Sequence, residues 1–361
     1  METLWPGGGG LRENAEYIFA GDVGGTNTSL ALVEDRAGSL RVLGKFLFKT
    51  RETPSIVQAA SLAKAEINRA FPGLILKKAC LSVAGIVENN SCAMTNVSWI
   101  VSGPDLEKEL KVPVKIINDF TAVSFALPLL DTQNPREVTR MPGSGGTARP
   151  TGGVRAVIGA GTGLGVGCLI ETQTGFQALA SEGGHVDFAP VDEESRGLCA
   201  WVARRIGAIP ETELFVSGQG LVNAFGYFCE KARADGSPPG AAFAQIAATP
   251  DDEKPALIAR FADSDPGCAQ IMRLFVRMYA RVAANAAVTF IPAAGLFLAG
   301  GIAAKNERWF LEDNAFMRSF SLSCKQKITA LLAAIPVYII KDYGVSLGGA
   351  ANAARYLMQG P

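Results

Sequence analysis

The chain has no surplus of charge, no paired cysteine pattern, one histidine and no long apolar run, and each lack removes a class of function. Its 361 residues carry 34 basic and 34 acidic side chains, so the formal net charge is zero. No basic block or stripe stands out, which argues against a nucleic-acid partner. No stretch of about eighteen apolar residues occurs, so no membrane-spanning helix is expected. The seven cysteines (Cys80, Cys92, Cys168, Cys199, Cys229, Cys268 and Cys324) are odd in number and never spaced as C-x-x-C. That usage points to reduced thiols in a cytoplasm and away from a zinc site. The first residues have neither the basic region nor the apolar core of a secretory signal, and residues 1–16 read as a flexible tail. No G-x-x-x-x-G-K-[ST] is present, and the glycines at 159, 161, 163, 165 and 167 miss the G-x-G-x-x-G spacing. Neither a P-loop enzyme nor a dinucleotide-binding fold is favoured.

What the chain does have is glycine: 40 residues of it, with 48% hydrophobic and 19% charged residues, the balance of a globular α/β protein rich in tight turns. Its length exceeds one compact core and fits two lobes. The most informative stretch is Ile18-Phe-Ala-Gly-Asp-Val-Gly-Gly-Thr-Asn-Thr-Ser-Leu-Ala-Leu-Val33, in which apolar runs at 18–21 and 29–33 flank a turn. Runs of that length bounded by Gly and Asn read as buried strands, so the turn joins strand to strand. Gly24 and Gly25 let the backbone approach a ligand closely. Backbone N–H groups and the Thr26 hydroxyl, beside Asn27, can point at phosphate oxygens, and Asp22 can face a magnesium ion. One such turn is also what an ordinary hairpin looks like. A second copy, Ala156-Val-Ile-Gly-Ala-Gly-Thr-Gly-Leu-Gly-Val-Gly-Cys-Leu-Ile170, repeats the pattern with Gly161, Thr162 and Gly163 at its turn and shifts the reading to a nucleotide clamp.

Further strands are expected at 42–48, 79–84, 114–117, 295–299 and 336–340. Helices are expected from Pro54 to about residue 70, at 104–110, from Asn118 onward, at 193–206, after Gly220, at 266–290 and at 345–358. Residues 136–153 read as a loop. Strands alternating with helices imply mixed sheets covered by helices.

His185 is the only histidine, within Ser181-Glu-Gly-Gly-His-Val-Asp-Phe-Ala189. A lone histidine is commonly structural, but the two preceding glycines allow an irregular backbone that turns Glu182 and His185 toward one ligand. A carboxylate and an imidazole can share several hydroxyls as acceptor and donor, as holding a sugar requires. Asn118 and Asp119 sit where a strand gives way to a helix. An N-cap is the bland explanation, yet capping needs only one of them. Ligands of open α/β sheets bind outside the carboxyl ends of strands, and a carboxylate there is a candidate base for a hydroxyl nucleophile. Glu213 could add a further hydroxyl acceptor.

These segments, with Met94-Thr-Asn96, Ile117-Asn-Asp-Phe-Thr-Ala-Val-Ser124, Glu182-Gly-Gly-His-Val-Asp-Phe-Ala-Pro190, Ser217-Gly-Gln-Gly-Leu-Val-Asn223 and Ala299-Gly-Gly-Ile302, resemble the bacterial ATP-dependent glucokinases, in that family's order and over nearly the whole chain. The resemblance implies an α/β, two-lobed, actin-like ATPase (ribonuclease H-like) fold with mixed sheets covered by helices. It implies a small lobe of residues 17–130 plus 342–361 and a large lobe of residues 131–341. Asp119 matches the family's catalytic base. Asn96, Asn118, Glu182, His185 and Glu213 match its sugar ligands. Asp22, Gly24, Gly25, Thr26, Asn27, Gly161, Thr162, Gly163, Gly300 and Gly301 match its nucleotide loops, with Asp22 toward magnesium. One departure is Gln219, where the family has proline; another is a longer N-terminal segment.

The expected reaction is glucose plus Mg-ATP giving glucose 6-phosphate and ADP in the cytoplasm. Members of that family are often homodimers, and no residue pattern here identifies an interface. A kinase for another hexose or donor is the rival among enzymes. A sugar-sensing regulator needs a DNA-binding head, and the few residues before Ile18 are too short and not basic. A non-catalytic ATPase module needs the glycine turns but neither the Asn118–Asp119 pair nor the Glu182/His185 pair.

Overall fold

Both glycine turns close antiparallel hairpins, as their flanking apolar runs dictate. The computed structural model describes residues 1–6, 10–94, 97–145, 153–236, 240–342 and 344–357. In chain order the strands are β1 (Glu2–Leu4), β2 (Glu16–Val23), β3 (Asn27–Arg36), β4 (Ser39–Lys49), β5 (Leu76–Val83), β6 (Ser91–Ala93), β7 (Ile100–Ser102), β8 (Val114–Asn118), β9 (Val138–Arg140), β10 (Gly153–Ala160), β11 (Leu164–Thr172), β12 (Gly175–Leu179), β13 (Leu296–Ala299) and β14 (Val337–Ile340). Two compact units divide the chain, one of residues 1–130, 172–179 and 344–361, the other of residues 131–171 and 180–343.

The first unit carries a sheet ordered β1-β4-β3-β2-β5-β8. β2, β5 and β8 are mutually parallel, and β1, β4, β3 and β2 are antiparallel neighbours. The helix Ile56–Ala70 starts where Ser55 accepts a hydrogen bond from Gln58 N–H, and buries Ile56, Ala59, Ala60, Ala63 and Ile67 at helical spacing. The helix Val345–Tyr356 packs on the helix Asp119–Ala126 so tightly that a Cβ on Gly349 would collide with the Ala122 carbonyl. Asn352 Nδ2 donates to Phe125 O at 2.8 Å in that same buried seam.

The second unit carries strands in the order β11-β10-β13-β14-β9, with β10, β13 and β14 parallel. Behind this sheet runs the helix Pro266–Phe290, capped by Asp265 and begun by proline. It buries Ile271, Leu274, Phe275, Met278 and Val282, the face its period predicts, while Ala286 is half-buried. Among the described residues no helix is long and apolar enough to cross a membrane.

Three expectations change. Residues 1–16 do not form a free tail: β1 pairs with β4, Glu2 opposite Leu47. Trp5 lies edge-on to Phe46 and Phe71 with ring centroids 5.6 Å from each, so aromatic contacts made by a still partly exposed indole hold this segment. Residues 7–9 of it lie outside the described residues. Within the expected loop 136–153, Val138–Arg140 is an edge strand antiparallel to β14, while residues 146–152 are outside the described ones. Residues 172–179, expected in the large lobe, group with the first unit, where Phe176 meets the Tyr356 ring edge-on at 5.5 Å.

Candidate functional site

In the first unit, β8 ends in Asn118 and the helix Asp119–Ala126 begins at once. Asn118 Oδ1 accepts from the N–H groups of Phe120 (2.8 Å) and Thr121 (3.4 Å), while its Nδ2 donates to Gly85 O at 3.1 Å. The asparagine is thus the cap, and one amide proton remains for a ligand. Asp119 is half-buried in the helix's first turn, where N–H groups favour a carboxylate, and its Oδ1 also accepts Phe120 N–H at 2.9 Å. The Cys92 thiol is held in its neutral form by burial and by the Asp119 charge beside it. Gly85 is constrained, because a Cβ there would lie 2.8 Å from Cys92 Sγ. Asn96 lies outside the described residues.

The first hairpin joins β2 to β3 through residues 24–26. Asp22 is anchored on both oxygens: Ser82 Oγ is 2.9 Å from Oδ1 and Ser346 Oγ is 2.7 Å from Oδ2. Thr26 and Asn27 are exposed at the turn, with Gly24 and Gly25 half-buried behind them. Asn27 Oδ1 accepts from Lys49 Nζ at 2.9 Å.

In the second unit, Gly161, Thr162 and Gly163 turn β10 into β11, closed by Gly161 N–H to Gly163 O at 2.9 Å. Gly218 N–H donates to Gly161 O at 2.8 Å, tying the turn to the start of the helix Gly218–Ala234, whose cap is Ser217. Glu213 is half-buried, and its Oε2 accepts Leu164 N–H at 2.7 Å. A Cβ on Gly163 would sit 2.5 Å from that oxygen, which explains the glycine. Gly300, at φ +87°, lies so close over the Ala160 carbonyl that only glycine fits, and Gly301 follows it.

Glu182 precedes a single helical turn, Gly183–His185, and a Cβ on Gly184 would strike the Leu164 carbonyl. His185 Nδ1 is 2.7 Å from Glu211 Oε2. That hydrogen bond is the main cause raising the imidazole pKa above its ordinary value, and the charges of Glu213, Glu211 and Glu182 reinforce it against partial burial. Glu182, His185, Glu211 and Glu213 therefore share one neighbourhood. Backbone stitching makes it: Thr212 N–H donates to Val186 O at 2.8 Å and Phe188 N–H to Pro210 O at 3.2 Å. Glu211, Ser82 and Ser346 escape sequence reasoning. Only the nearness of Glu211 to Glu213 hints at the first, and nothing in spacing singles out the serines.

Magnesium fits the first hairpin. A carboxylate oxygen keeps a second lone pair after accepting one hydroxyl, so Asp22 can still meet a cation or its waters. Among the described residues no group of three or more His, Cys, Asp or Glu could hold a metal unaided, which suits an ion that arrives on phosphates.

A helix-start carboxylate in a chain that also carries two glycine-cornered hairpins is what phosphoryl transfer to an alcohol demands. That defines the class: an ATP-dependent sugar kinase of α/β architecture. The family model for Glucokinase matches residues 19–357. The glucokinase of Nostoc sp. strain PCC 7120 is 34% identical over 362 residues, covering 94% of this chain and 99% of the relative. The chain belongs to the glucokinase family. Its fold is shared with a glucokinase from an Antarctic psychrotroph, at a TM-score of 0.77 and 24% identity over 94% of this chain and 99% of the other. The Balamuthia mandrillaris glucokinase, solved in complex with glucose, aligns at a TM-score of 0.72 and 23% identity over 94% of each chain.

Proposed function

We propose that this protein transfers the γ-phosphoryl group of Mg-ATP to the primary hydroxyl of D-glucose, with Asp119 as general base. The observation that carries the reading is the strand-to-helix junction at the end of β8: Asn118 caps the helix through the N–H groups of Phe120 and Thr121, and the half-buried Asp119 carboxylate stands in its first turn, accepting Phe120 N–H at 2.9 Å. Asp119 would take the hydroxyl proton as the sugar oxygen attacks phosphorus. Glu182, His185 and Glu213 would hold other sugar hydroxyls, with Glu211 orienting the imidazole through Nδ1. A protonated His185 offers Nε2–H as a donor, whereas the neutral ring bonded to Glu211 through Nδ1–H offers Nε2 as an acceptor. Asn96 and the remaining Asn118 proton complete the sugar contacts.

The N–H groups of Gly25 and Thr26, with the turn of residues 161–163 and Gly300 and Gly301, would cradle the phosphates, and Asp22 would hold the magnesium. The bound ion would supply charge neutralisation on the phosphate oxygens. All seven cysteines are free thiols, which supports a reducing, cytoplasmic setting.

A coupled assay over a panel of hexoses and phosphoryl donors tests the reading. Glucose with ATP should give the highest kcat/KM. A higher value for another hexose or for polyphosphate would move the protein to that substrate, and no turnover with any pair would overturn the kinase reading.

A further inference from the structure

The hairpin at residues 24–27 has the carbonyls of Gly24, Thr26 and Asn27 engaged within the protein and two of its N–H groups left over. Gly24 N–H donates to Asn27 O at 3.0 Å, and the Thr26 carbonyl accepts Thr50 N–H at 3.0 Å. The Gly24 carbonyl accepts the Thr50 hydroxyl at 2.8 Å. By contrast, the N–H groups of Gly25 and Thr26 have no acceptor among the described residues. Successive unpartnered N–H groups in a turn form an anion-binding concavity.

One residue therefore grips this turn twice. Thr50 follows β4, is fully buried, and touches the turn with both its backbone and its side chain. Its hydroxyl has a single proton, which goes to Gly24 O. The Thr28 hydroxyl, 2.9 Å from Thr50 Oγ1, must then be the donor of that pair. The outcome is a directed chain, Thr28 O–H to Thr50 Oγ1–H to Gly24 C=O, in which each bond polarises the next. Thr28 is also fully buried, so neither hydroxyl has water as a substitute partner.

We propose that Thr50 is a positioning residue for nucleotide, holding the Gly24 and Thr26 carbonyls away from the phosphates so that the Gly25 and Thr26 N–H groups face them. Its action is indirect, through the turn. The same 50–53 segment is anchored from behind, because Trp99 Nε1 donates to Thr53 O at 3.1 Å and Thr53 Oγ1 donates to Lys49 O at 3.0 Å. A rigid support at that point is what a preorganised phosphate loop needs. The proposal rests on the reading of residues 24–27 as a phosphate turn.

The test is steady-state kinetics with ATP varied at saturating glucose, for the wild type, Thr50→Val, Thr50→Ser and Thr28→Val. Valine keeps the shape but leaves the Gly24 carbonyl and the Thr28 hydroxyl unpaired, so KM for ATP should rise about tenfold or more. KM for glucose should stay within about twofold, because the sugar ligands lie elsewhere. Serine restores the hydroxyl and should bring KM for ATP back to within about threefold of wild type. Thr28→Val breaks the chain one link earlier and should give a smaller rise, which keeps the proposal testable if Thr50→Val does not fold. Separately, 15N-threonine labelling of the wild type reports whether the Thr26 amide resonance moves on adding a non-hydrolysable ATP analogue. A moving Thr26 resonance together with an unchanged KM for ATP in Thr50→Val would overturn the role of Thr50 alone. A motionless Thr26 resonance would overturn the phosphate-turn reading itself, and the proposal with it.

Discussion

Ser346 donates its hydroxyl to Asp22 Oδ2 at 2.7 Å, joining residues 324 positions apart in the chain. Ser346 opens the final helix, and Ser82 secures the other carboxylate oxygen from the end of β5. A carboxylate fixed on both oxygens has one rotamer to offer, which suits the magnesium contact proposed for Asp22. Removing one hydroxyl removes one charge-assisted bond, worth about 1.5–3 kcal/mol. Ser346→Ala should therefore raise the magnesium concentration needed for half-maximal velocity several-fold at fixed ATP. A magnesium titration of initial rates checks this, and an unchanged midpoint would show that Asp22 is not the metal's partner.

Asp119→Asn should lower kcat by about 10²–10⁴-fold, the range that a positioned general base contributes. Glucose affinity, read by calorimetric titration, should stay close to wild type, since the amide keeps the size and hydrogen-bond reach of the carboxylate. A kcat near wild type in the purified variant would place the base elsewhere.

Glu182→Ala and His185→Ala should each weaken glucose binding by about 1–3 kcal/mol, as the loss of a hydroxyl's partner costs. Affinity for a non-hydrolysable ATP analogue should change much less. Calorimetry with each ligand decides it, and equal losses for both ligands would make His185 a structural residue.

The single histidine gives a clean titration by NMR. Its midpoint should lie above the ordinary value of about 6.5 because Glu211 accepts from the ring. Glu211→Gln should bring the midpoint down. A raised folded-state value means that the pair's stabilisation is present below the unfolded pKa and is lost as pH rises through the folded one. Both side chains are about half exposed, so that contribution to stability is small. If His185 binds the sugar as proposed, glucose affinity should change across the same window, as Nε2 turns from donor to acceptor.

Gly349→Ala should lower stability by about 1–3 kcal/mol or more, because its Cβ would meet the Ala122 carbonyl, which as helix backbone cannot step aside. Thermal unfolding followed by circular dichroism measures it. A melting temperature equal to wild type would mean that the final helix does not press on the helix bearing Asp119.

The parts of this protein legible in its sequence are those whose physics is local. Both hairpins and the helix of residues 266–290 announce themselves through apolar period and punctuation, and Asp119 through its place between strand and helix. Asn118 also reads locally as a cap, and the structure assigns it that work. What stays hidden depends on pairing between distant segments. Glu211 reaches His185 only because residues 210–212 are stitched to 186–188, and no spacing within either segment reveals that. The glycine-rich start reads as a tail because the features that hold it, the partner strand β4 and the aromatic rings around Trp5, lie forty or more residues away or outside its composition. Thr50 carries no motif at all; the role proposed for it comes from where β4 happens to end.

The first unit is assembled from residues 1–130, 172–179 and 344–361. That imposes an order on biosynthesis. At about 5–20 residues per second, ribosomes need roughly 10–40 s to go from residue 130 to residue 344. During that interval the nascent chain already holds Asp119 and Asp22 but lacks the helix that packs against the helix bearing the one and the serine that secures the other. A partly made chain therefore has the first unit's sheet but not the final helix that packs against it and against the helix bearing Asp119, however well its second unit has folded. The first unit is therefore the last part of the chain to be completed, although it contains the first residues made.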